Sequence, residues 1–267
     1  MQPRRPSKGR RPPSRVERHG LGGEQVEGRH AVRELLAAGR RRVKDVWLAD
    51  DLDPAPIVAE IEELAARARV PVRRVSRSRL ASEARTDSPQ GVLARAESLA
   101  EADLDRLCRV RPGGPAPFLV ALDGVTDPQN LGALLRTAAC AGVSGVVLPR
   151  HRAVHVTPTV TKAAAGAIEH VPLAVVPGMP AALARARELG VWTVGLDAGA
   201  RQSLFDLEVA TEPVLLALGA EGGGLGRLTR QRCEALVRIP LAGGLPSLNV
   251  AAAGAVACFE IARRRSG

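Results

Sequence analysis

Hydrophobic side chains recur along this chain at the two spacings that distinguish helices from strands. In residues 55–68, Ile57, Val58 and Ile61 fall on one helical face and acidic side chains fall on the other, which predicts an amphipathic helix. Short apolar runs bounded by glycine or proline predict strands instead. In the amino-terminal third the predicted strands cover residues 43–49, 72–75 and 91–96, and the predicted helices cover residues 27–39, 55–68 and a stretch near 78–82.

The two patterns alternate more regularly after residue 117. The predicted strands here cover residues 118–122, 145–148, 170–175, 191–196, 214–218 and 236–239. The helices predicted between and after them cover residues 130–141, 156–166, 179–189, 227–232 and 248–264. Such alternation predicts an α/β fold with a mostly parallel sheet and helices on both of its faces.

Composition divides the chain into four parts. Residues 1–23 are rich in arginine and proline, and residues 98–116 change from charged residues to a proline- and glycine-rich run that can continue neither a helix nor a strand. We interpret 1–23 as a disordered basic arm, 24–97 as a small α/β domain, 98–116 as a linker and 117–267 as the main domain.

The charge and composition of the chain indicate its possible partners, its compartment and the state of its cysteines. The net charge is +10, and the first twenty residues carry +6 of it, because seven arginine or lysine residues face one glutamate there. Such an arm either adds affinity for phosphates or is a solubilising tail or the product of a misassigned start. No apolar run of about eighteen residues and no signal-peptide core is present, so we expect a cytoplasmic protein without a membrane segment. The four cysteines lie far apart, which predicts reduced thiols.

Three loop sequences each follow a strand-like run and precede a helix-like one. They are residues 122–136 (LDGVTDPQNLGALLR), 218–225 (LGAEGGGL) and 246–251 (PSLNVA). The carboxyl ends of parallel strands lie at one edge of a sheet, where open α/β folds bind ligands. We therefore expect the three loops to converge on a single active site.

Individual residues of these loops have both structural and functional interpretations. Asn130 and Ser247 stand where the N-cap of the following helix is expected. Glu221 lies in a glycine-rich turn, whose backbone can approach a ligand closely. Arg136 falls in an apolar helical stretch, where a lone cation is either needed for function or held by a structural salt bridge.

Missing motifs disfavour several other chemistries. The chain has neither the dinucleotide-binding glycine fingerprint nor the phosphate-binding loop of nucleotide triphosphatases. His151 and His155 share a helical spacing but have no third ligand nearby, so no metal site is expected. Aromatic residues are scarce and tyrosine is absent, so any contact with RNA should depend on arginine and backbone groups rather than on base stacking.

In this order and at these separations, residues 122–136, 219–225 and 247–250 resemble the three motifs of the SpoU (TrmH) branch of the SPOUT RNA methyltransferases. Gly28-Arg-His-Ala-Val resembles the start of that family's amino-terminal RNA-binding domain, so the resemblance extends from residue 28 onward. The opening of the first motif and the Gly-Ala-Glu-Gly turn are most similar to those of the bacterial 23S rRNA guanosine 2′-O-methyltransferases.

The resemblance implies a SPOUT-type sheet with a trefoil knot, an exception to the usual unknotted topology. It implies S-adenosylmethionine as cofactor, a homodimer whose interface lies beside the site, and 2′-O-methylation of a guanosine in the peptidyl-transferase region of 23S rRNA. The residues carried over as catalytic are Asn130, Arg136, Glu221, Ser247 and Asn249. Those carried over as cofactor contacts are Leu218, Gly219, Ile239, Leu241, Leu248 and Asn249.

Several points stay open at the level of sequence. Arg29 and His30 either contact RNA or form an ordinary surface pair, and Ala251 stands where many relatives have a second serine. The substrate could instead be a tRNA loop or an antibiotic-resistance site on rRNA, or the chain could be a catalytically silent ribosome assembly factor. Because a guanidinium is almost never neutral, we expect Arg136 to stabilise the developing alkoxide or hold a neighbouring phosphate rather than act as a base.

Overall fold

The structure is a computed structural model that describes residues 21–151, 156–244 and 247–266. Residues 1–20 of the predicted arm, and His155, lie outside the described residues. No helix in these three segments is long and apolar enough to cross a bilayer.

A four-stranded sheet forms the core of the amino-terminal domain. Its elements are β1 Gln25–Glu27, α1 Arg29–Ala38, β2 Val43–Ala49, α2 Pro56–Arg67, β3 Val72–Val75, α3 Arg77–Glu83 and β4 Val92–Ala96. The strand order is β1-β4-β2-β3, with β2 and β3 parallel and the other pairs antiparallel. Leu35 of α1 and Ile61 of α2 pack against Leu48 on one face of the sheet, and Leu80 of α3 packs against Trp47 on the other.

A seven-stranded sheet forms the core of the larger domain. Its elements are α4 Leu104–Cys108, β5 Phe118–Asp123, α5 Pro128–Cys140, β6 Gly145–Pro149, α6 Pro158–Ala163, β7 Leu173–Val176, α7 Met179–Glu188, β8 Trp192–Leu196, β9 Gln202–Ser203, β10 Val214–Gly219, α8 Arg227–Arg232, β11 Ala235–Arg238 and α9 Val250–Arg265. The strand order is β7-β6-β5-β10-β8-β11-β9, and every pairing recorded between these strands is parallel.

Helices cover both faces of the larger sheet. Leu135 of α5 and Ile261 of α9 belong to the hydrophobic cluster on one face, and Leu183 of α7 belongs to the cluster on the other. The two clusters take alternate residues of the central strands, as expected for strands buried on both sides. The predicted α/β class with a mostly parallel sheet is therefore confirmed.

The structure differs from the sequence prediction where elements are short or irregular. The predicted strand at 170–175 begins only at Leu173, because residues Ala167–Glu169 form a 3-10 turn that ends at His170. β1 and β9 have three and two residues, too few to show an alternating pattern.

The segments predicted as the end of the arm and as the linker are packed against the rest of the protein. Gly22 donates its backbone N–H to the carbonyl of Val156 at 3.0 Å, although the arm is predicted to reach residue 23. Within the predicted linker, Asp103 caps α4 and Cys108 is buried. The sequence did not indicate this helix, because the segment is rich in charged residues and the helix is only five residues long.

A buried ion pair joins the two domains. The guanidinium of Arg41 pairs with the carboxylate of Glu169, and both side chains have 0% exposure. Arg41 also donates to the backbone carbonyl of Gly23 at 3.0 Å, which leaves its charge well satisfied. Burial raises the pKa of Glu169, and the adjacent Arg41 opposes that rise. Since an unpaired charge is costly to bury, this pair should favour one arrangement of the domains.

Candidate active site

The first loop positions Asn130 through a cap made by another residue. Asp127 is the N-cap of α5, and its carboxylate accepts a hydrogen bond from the backbone N–H of Asn130 at 2.8 Å. The prediction that Asn130 is the N-cap is therefore wrong, because Pro128 begins the helix two residues earlier. The side chain of Asn130 is thereby left available for other contacts.

The third loop positions Asn249 at the start of α9. Asn249, rather than Ser247 as predicted, is the N-cap, and its side-chain oxygen accepts from the backbone N–H groups of Ala251 and Ala252 at 2.8 and 3.3 Å. Because the oxygen is used by the cap, the amide nitrogen of Asn249 points away from the helix.

This amide nitrogen brings the three loops together. It donates to the side-chain oxygen of Asn130 at 3.1 Å and to the carboxylate of Glu221. Three residues separated by up to 119 positions therefore meet at one point, as the convergence of the loops predicts. All three lie beyond the carboxyl ends of their strands, at the edge where an α/β sheet binds ligands.

The second loop makes a tight turn that only glycine permits at its first position. Ala220 and Gly224 exchange backbone hydrogen bonds of 3.0 and 2.9 Å across the turn. A Cβ added to Gly219 would lie 2.0 Å from the carbonyl carbon of Gly224, far inside van der Waals contact. The turn therefore brings its backbone close to the cavity beside it.

A cavity of about 420 Å³ opens between these loops. Of the residues carried over as cofactor contacts, Leu218, Gly219, Ile239, Leu241 and Leu248 all line it. Glu221 and Ser247 line it as well, and Asn249 reaches its edge through the hydrogen bond to Glu221. The volume is in the range of about 300 to 1,000 Å³ that is usual for small-molecule sites.

Sequence reasoning missed one side of this cavity. Leu196, Asp197 and Ala198 line it from the carboxyl end of β8, and Arg230 of α8 pairs with Asp197 at 2.5 Å. The strand-like run that ends at Leu196 could have indicated this side, because β8 is the direct neighbour of β10 in the sheet. The order of the strands, however, cannot be read from the sequence.

Arg136, which the resemblance places among the catalytic residues, is not among the residues that line this cavity. It lies six residues after Asn130 on α5. This places it about 9 Å further along the helix axis and rotated by roughly a third of a turn around that axis. Its side chain is exposed and lines a second cavity between the two domains, together with His30 and His170.

Arg29 and His30 begin α1, and His30 lines the second cavity. The backbone N–H of Arg29 donates to the side-chain oxygen of Gln90 at 3.1 Å, and its guanidinium donates to the backbone carbonyl of the same residue at 3.3 Å. His30 is exposed. The sequence predicts that this pair either contacts RNA or is an ordinary surface pair, and the structure places His30 in the cleft at the junction between the domains.

No group of three or more histidine, cysteine, aspartate or glutamate side chains is placed to hold a metal ion within residues 21–151, 156–244 and 247–266. His151 is exposed. The cysteines in these segments are free thiols, and burial raises the pKa of Cys108 to about 11 and that of Cys258 to about 12.

Comparison with known families assigns both domains. Residues 117–259 match the SpoU rRNA methylase family, and residues 25–102 match the family described as RNA 2′-O ribose methyltransferase substrate binding. The chain belongs to the SpoU rRNA methylase family. The resemblance of the three motifs to this family is therefore confirmed.

Relatives and solved structures of this family agree over nearly the whole chain. The chain is 42% identical over 246 residues to the 23S rRNA (guanosine-2′-O-)-methyltransferase RlmB of Pseudomonas aeruginosa, covering 91% of this chain and 97% of that protein. The crystal structure of the SpoU methyltransferase AviRb from Streptomyces viridochromogenes in complex with AdoMet has a TM-score of 0.75 and 26% identity, over 91% of this chain and 90% of that one. An AdoMet-bound rRNA methyltransferase from Sinorhizobium meliloti has a TM-score of 0.72 and 28% identity, covering 90% and 87% of the two chains.

Proposed function

We infer that this SpoU-family protein is an S-adenosylmethionine-dependent RNA ribose 2′-O-methyltransferase that acts on a guanosine of 23S rRNA. The observation that carries the proposal is the contact of Asn249 with both Asn130 and Glu221 at the edge of the cavity. The 23S rRNA guanosine methyltransferase named above, which is similar over 97% of its own length, supports this choice of substrate.

The cavity has the chemistry that S-adenosylmethionine requires. Leu218, Ile239 and Leu248 offer apolar walls to an adenine ring, and the glycine-rich turn offers backbone groups to the polar parts of the molecule. Leu241 and Leu248 are 40% and 42% exposed at the rim, where a bound ligand would cover them. The cofactor supplies a methyl group that is already activated on a sulfonium.

The residues around the cavity would orient the ribose. In-line transfer requires the acceptor oxygen, the methyl group and the sulfur to be aligned, so holding the sugar in place is the main task of the protein. Asn130 and Glu221 share the amide group of Asn249, and this network fixes the directions of their oxygen atoms. We assign Asn130 and Glu221 to the hydrogen bonding of the ribose and Asn249 to holding them in place, with Ser247 beside them on the cavity wall.

Arg136 would act on the RNA rather than on the cofactor. It is separated from the cavity along α5, and its exposed guanidinium suits a phosphate of the same strand. This position supports the electrostatic role over a role in removing the proton of the hydroxyl group. RNA that reached both places would have its target sugar held from two sides.

We also propose that the enzyme is a homodimer that acts in the cytoplasm, where its rRNA substrate is made. Val256 and Phe259 are 37% and 51% exposed on one face of α9, and Ala252 extends that face toward the site. An apolar stripe beside an active site is typical of an interface. Sedimentation should give a dimer for the parent protein and a monomer for Phe259→Glu; a parent monomer would overturn this part of the proposal.

The transfer of a labelled methyl group tests the function. The protein is incubated with labelled S-adenosylmethionine and either unmodified 23S rRNA or unmodified tRNA, and the product is hydrolysed with alkali. Label in an alkali-resistant dinucleotide from 23S rRNA supports the proposal, since a 2′-O-methyl group blocks cleavage. Label in tRNA alone would assign the chain to tRNA, and RNA binding without any transfer would make it an assembly factor.

A further inference from the structure

The second cavity is a cleft of about 300 Å³ between the two domains. Its charged and polar side chains come from α1, α5 and the turn before β7, and are those of His30, Glu34, Arg136, Cys140 and His170. Alanine residues of α5, of the segment that follows α6 and of the 3-10 turn supply the remaining wall, which is therefore apolar and without long side chains. The cavity of about 420 Å³ between the three loops, called the cofactor cavity below, shares none of these residues.

Among the described residues, no carboxylate of the cleft offsets the positive charge of Arg136. Glu34 is the one carboxylate among the described residues that lines the cleft, and it is paired with Arg33 and with His170, whose Nε2 lies 2.6 Å away. Arg136 has no hydrogen bond or ion pair to any side chain in the described segments. Lys162 of α6 lies beside Gly28, the residue that precedes α1.

The two walls of the cleft are held in a fixed relation. The buried pair of Arg41 and Glu169 joins the domains directly behind His170, the residue that follows Glu169. Gly166 has a φ of +83°, and a Cβ there would lie 2.5 Å from Cβ of Glu34, so the walls touch. A ligand would therefore find its donors already in place and would not need to bring the domains together.

The position of the cleft relates it to the reaction. Arg136 and Asn130 lie on the same helix, about 9 Å apart along its axis. This is short enough for adjacent nucleotides of one RNA strand to reach both residues. Arginine and the ring N–H groups of histidine are donors suited to phosphate oxygens, and phosphate contacts set the register of a nucleic acid on a protein.

We propose that the interdomain cleft binds a backbone phosphate of the substrate RNA, next to the nucleotide that is methylated. The proposal rests on the function proposed above. Arg136 supplies the charge and the exposed His30 donates a hydrogen bond from the small domain, while His170 stays paired with Glu34. The RNA strand thereby crosses from the small domain to the catalytic edge of the sheet, which sets the target ribose at the cofactor cavity.

Cys140 offers a direct probe of the cleft, because its thiol is exposed inside it. Cys108 and Cys258 are buried, and burial raises the pKa of the half-buried Cys233 to about 12. At pH 8 a maleimide should therefore modify Cys140 first, and peptide mass spectrometry identifies the modified position. We expect unmodified 23S rRNA to slow this modification about tenfold or more, and Cys140→Ser to abolish it.

Filter binding of the full-length protein to the same RNA gives a second readout. Arg136→Gln should weaken binding and reduce the salt dependence by about one counterion. His30→Gln should weaken binding without changing the affinity for S-adenosylmethionine. Arg67→Gln removes an exposed charge on α2, outside the cleft, and should change neither quantity.

Three outcomes of these experiments would overturn the cleft proposal. Equal modification of Cys140 with and without RNA, while the RNA binds and is methylated, would overturn the cleft but leave the proposed function intact. A Cys140 that does not react in the free protein would show that the cleft is covered and would also overturn it. If the protein neither binds nor methylates 23S rRNA, the proposed function itself fails, and the cleft proposal fails with it.

Discussion

The side-chain amide of Asn249 caps α9 with its oxygen and donates to the carboxylate of Glu221 with its nitrogen. The cap decides which way the amide faces, so a structural role of Asn249 creates the hydrogen-bonding direction of the site. Glu221 in turn belongs to the glycine-rich turn of β10, whose shape depends on Gly219. The start of α9, the glycine-rich turn and the edge of the cavity therefore depend on one another through Asn249 and Glu221.

Asn249→Asp separates the two roles. Aspartate caps a helix as well as asparagine does, so we expect the fold and the melting temperature to be nearly unchanged. It cannot donate to Glu221, however, and places a second negative charge beside it. Methyl transfer should fall about 100-fold, as expected when reacting groups are misplaced. The rate is measured in a single turnover with saturating S-adenosylmethionine.

The companion variant controls for charge. Adding Glu221→Gln to Asn249→Asp removes the repulsion and restores a donor and an acceptor between the two positions. Any melting temperature lost in the single variant should be recovered in the double one. Parental transfer by Asn249→Asp alone would show that the contact has no part in the reaction.

Gly219→Ala tests the tight turn. The added methyl group would meet the backbone of Gly224, so the turn must open and the cavity wall must move. We expect the affinity for S-adenosylmethionine to fall about tenfold or more, since this corresponds to only about 1.4 kcal/mol. Calorimetric titration measures it.

Gly223→Ala is the matched control within the same turn. A Cβ at Gly223 meets nothing within 4 Å, and its φ lies outside the left-handed range. The turn should keep its shape in this variant, so its melting temperature should equal that of the parent, whereas that of Gly219→Ala should fall. A similar loss in both variants would mean that flexibility of the turn, and not the close approach at Gly219, matters.

The sequence predicted the α/β fold and the meeting of the three loops, because strand and helix patterns are local and parallel strands end at one edge. It misplaced both helix caps, since Asp127 and Asn249 compete with neighbouring polar residues for that position. It could not place Arg136, because the motif shows that Arg136 lies on a helix but not which cavity its side chain faces. The side formed by Asp197 was missed for a related reason, as strand order depends on packing between distant segments.

Arg136→Lys keeps the positive charge but loses the planar fork that matches a phosphate. We expect methyl transfer to fall about tenfold or more, because a bidentate contact is replaced by a single charge. The affinity for S-adenosylmethionine should not change, since Arg136 does not line the cofactor cavity. Methylation at the parental rate would remove the case for a specific guanidinium contact.

Glu169→Gln tests the ion pair that joins the domains. The change leaves Arg41 buried without its negative partner, which should lower the free energy of unfolding by about 3 to 5 kcal/mol. Urea unfolding measures it. Glu63→Gln removes the partner of Arg67 in an exposed pair and should cost about 1 kcal/mol or less. Equal effects of the two variants would contradict the structural role of the buried pair.

Glu34 predicts a dependence on pH at the junction between the domains. Burial raises its pKa, but the hydrogen bonds from His170 and Arg33 outweigh burial and leave the pKa below its ordinary value. Folding therefore favours the ionised form, and this stabilisation is complete above the ordinary glutamate pKa of about 4.3. It is lost as the pH falls through the lowered pKa of the folded state.

The matching measurement is the melting temperature between about pH 6 and pH 3. The parent should lose more stability over this range than Glu34→Gln does, by about 1 kcal/mol or less, because the carboxylate is partly exposed. Identical slopes for the two proteins would show that the His170 contact contributes nothing to the junction.

The most direct test is to locate the methyl group. Purified protein is incubated with S-adenosylmethionine and unmodified 23S rRNA, the RNA is digested, and the modified nucleoside is identified and mapped by mass spectrometry. The account predicts one 2′-O-methylguanosine in the peptidyl-transferase region, formed by the parent and lost in Asn249→Asp. A methyl group on a base, or an unmodified 23S rRNA after full incubation, would contradict it.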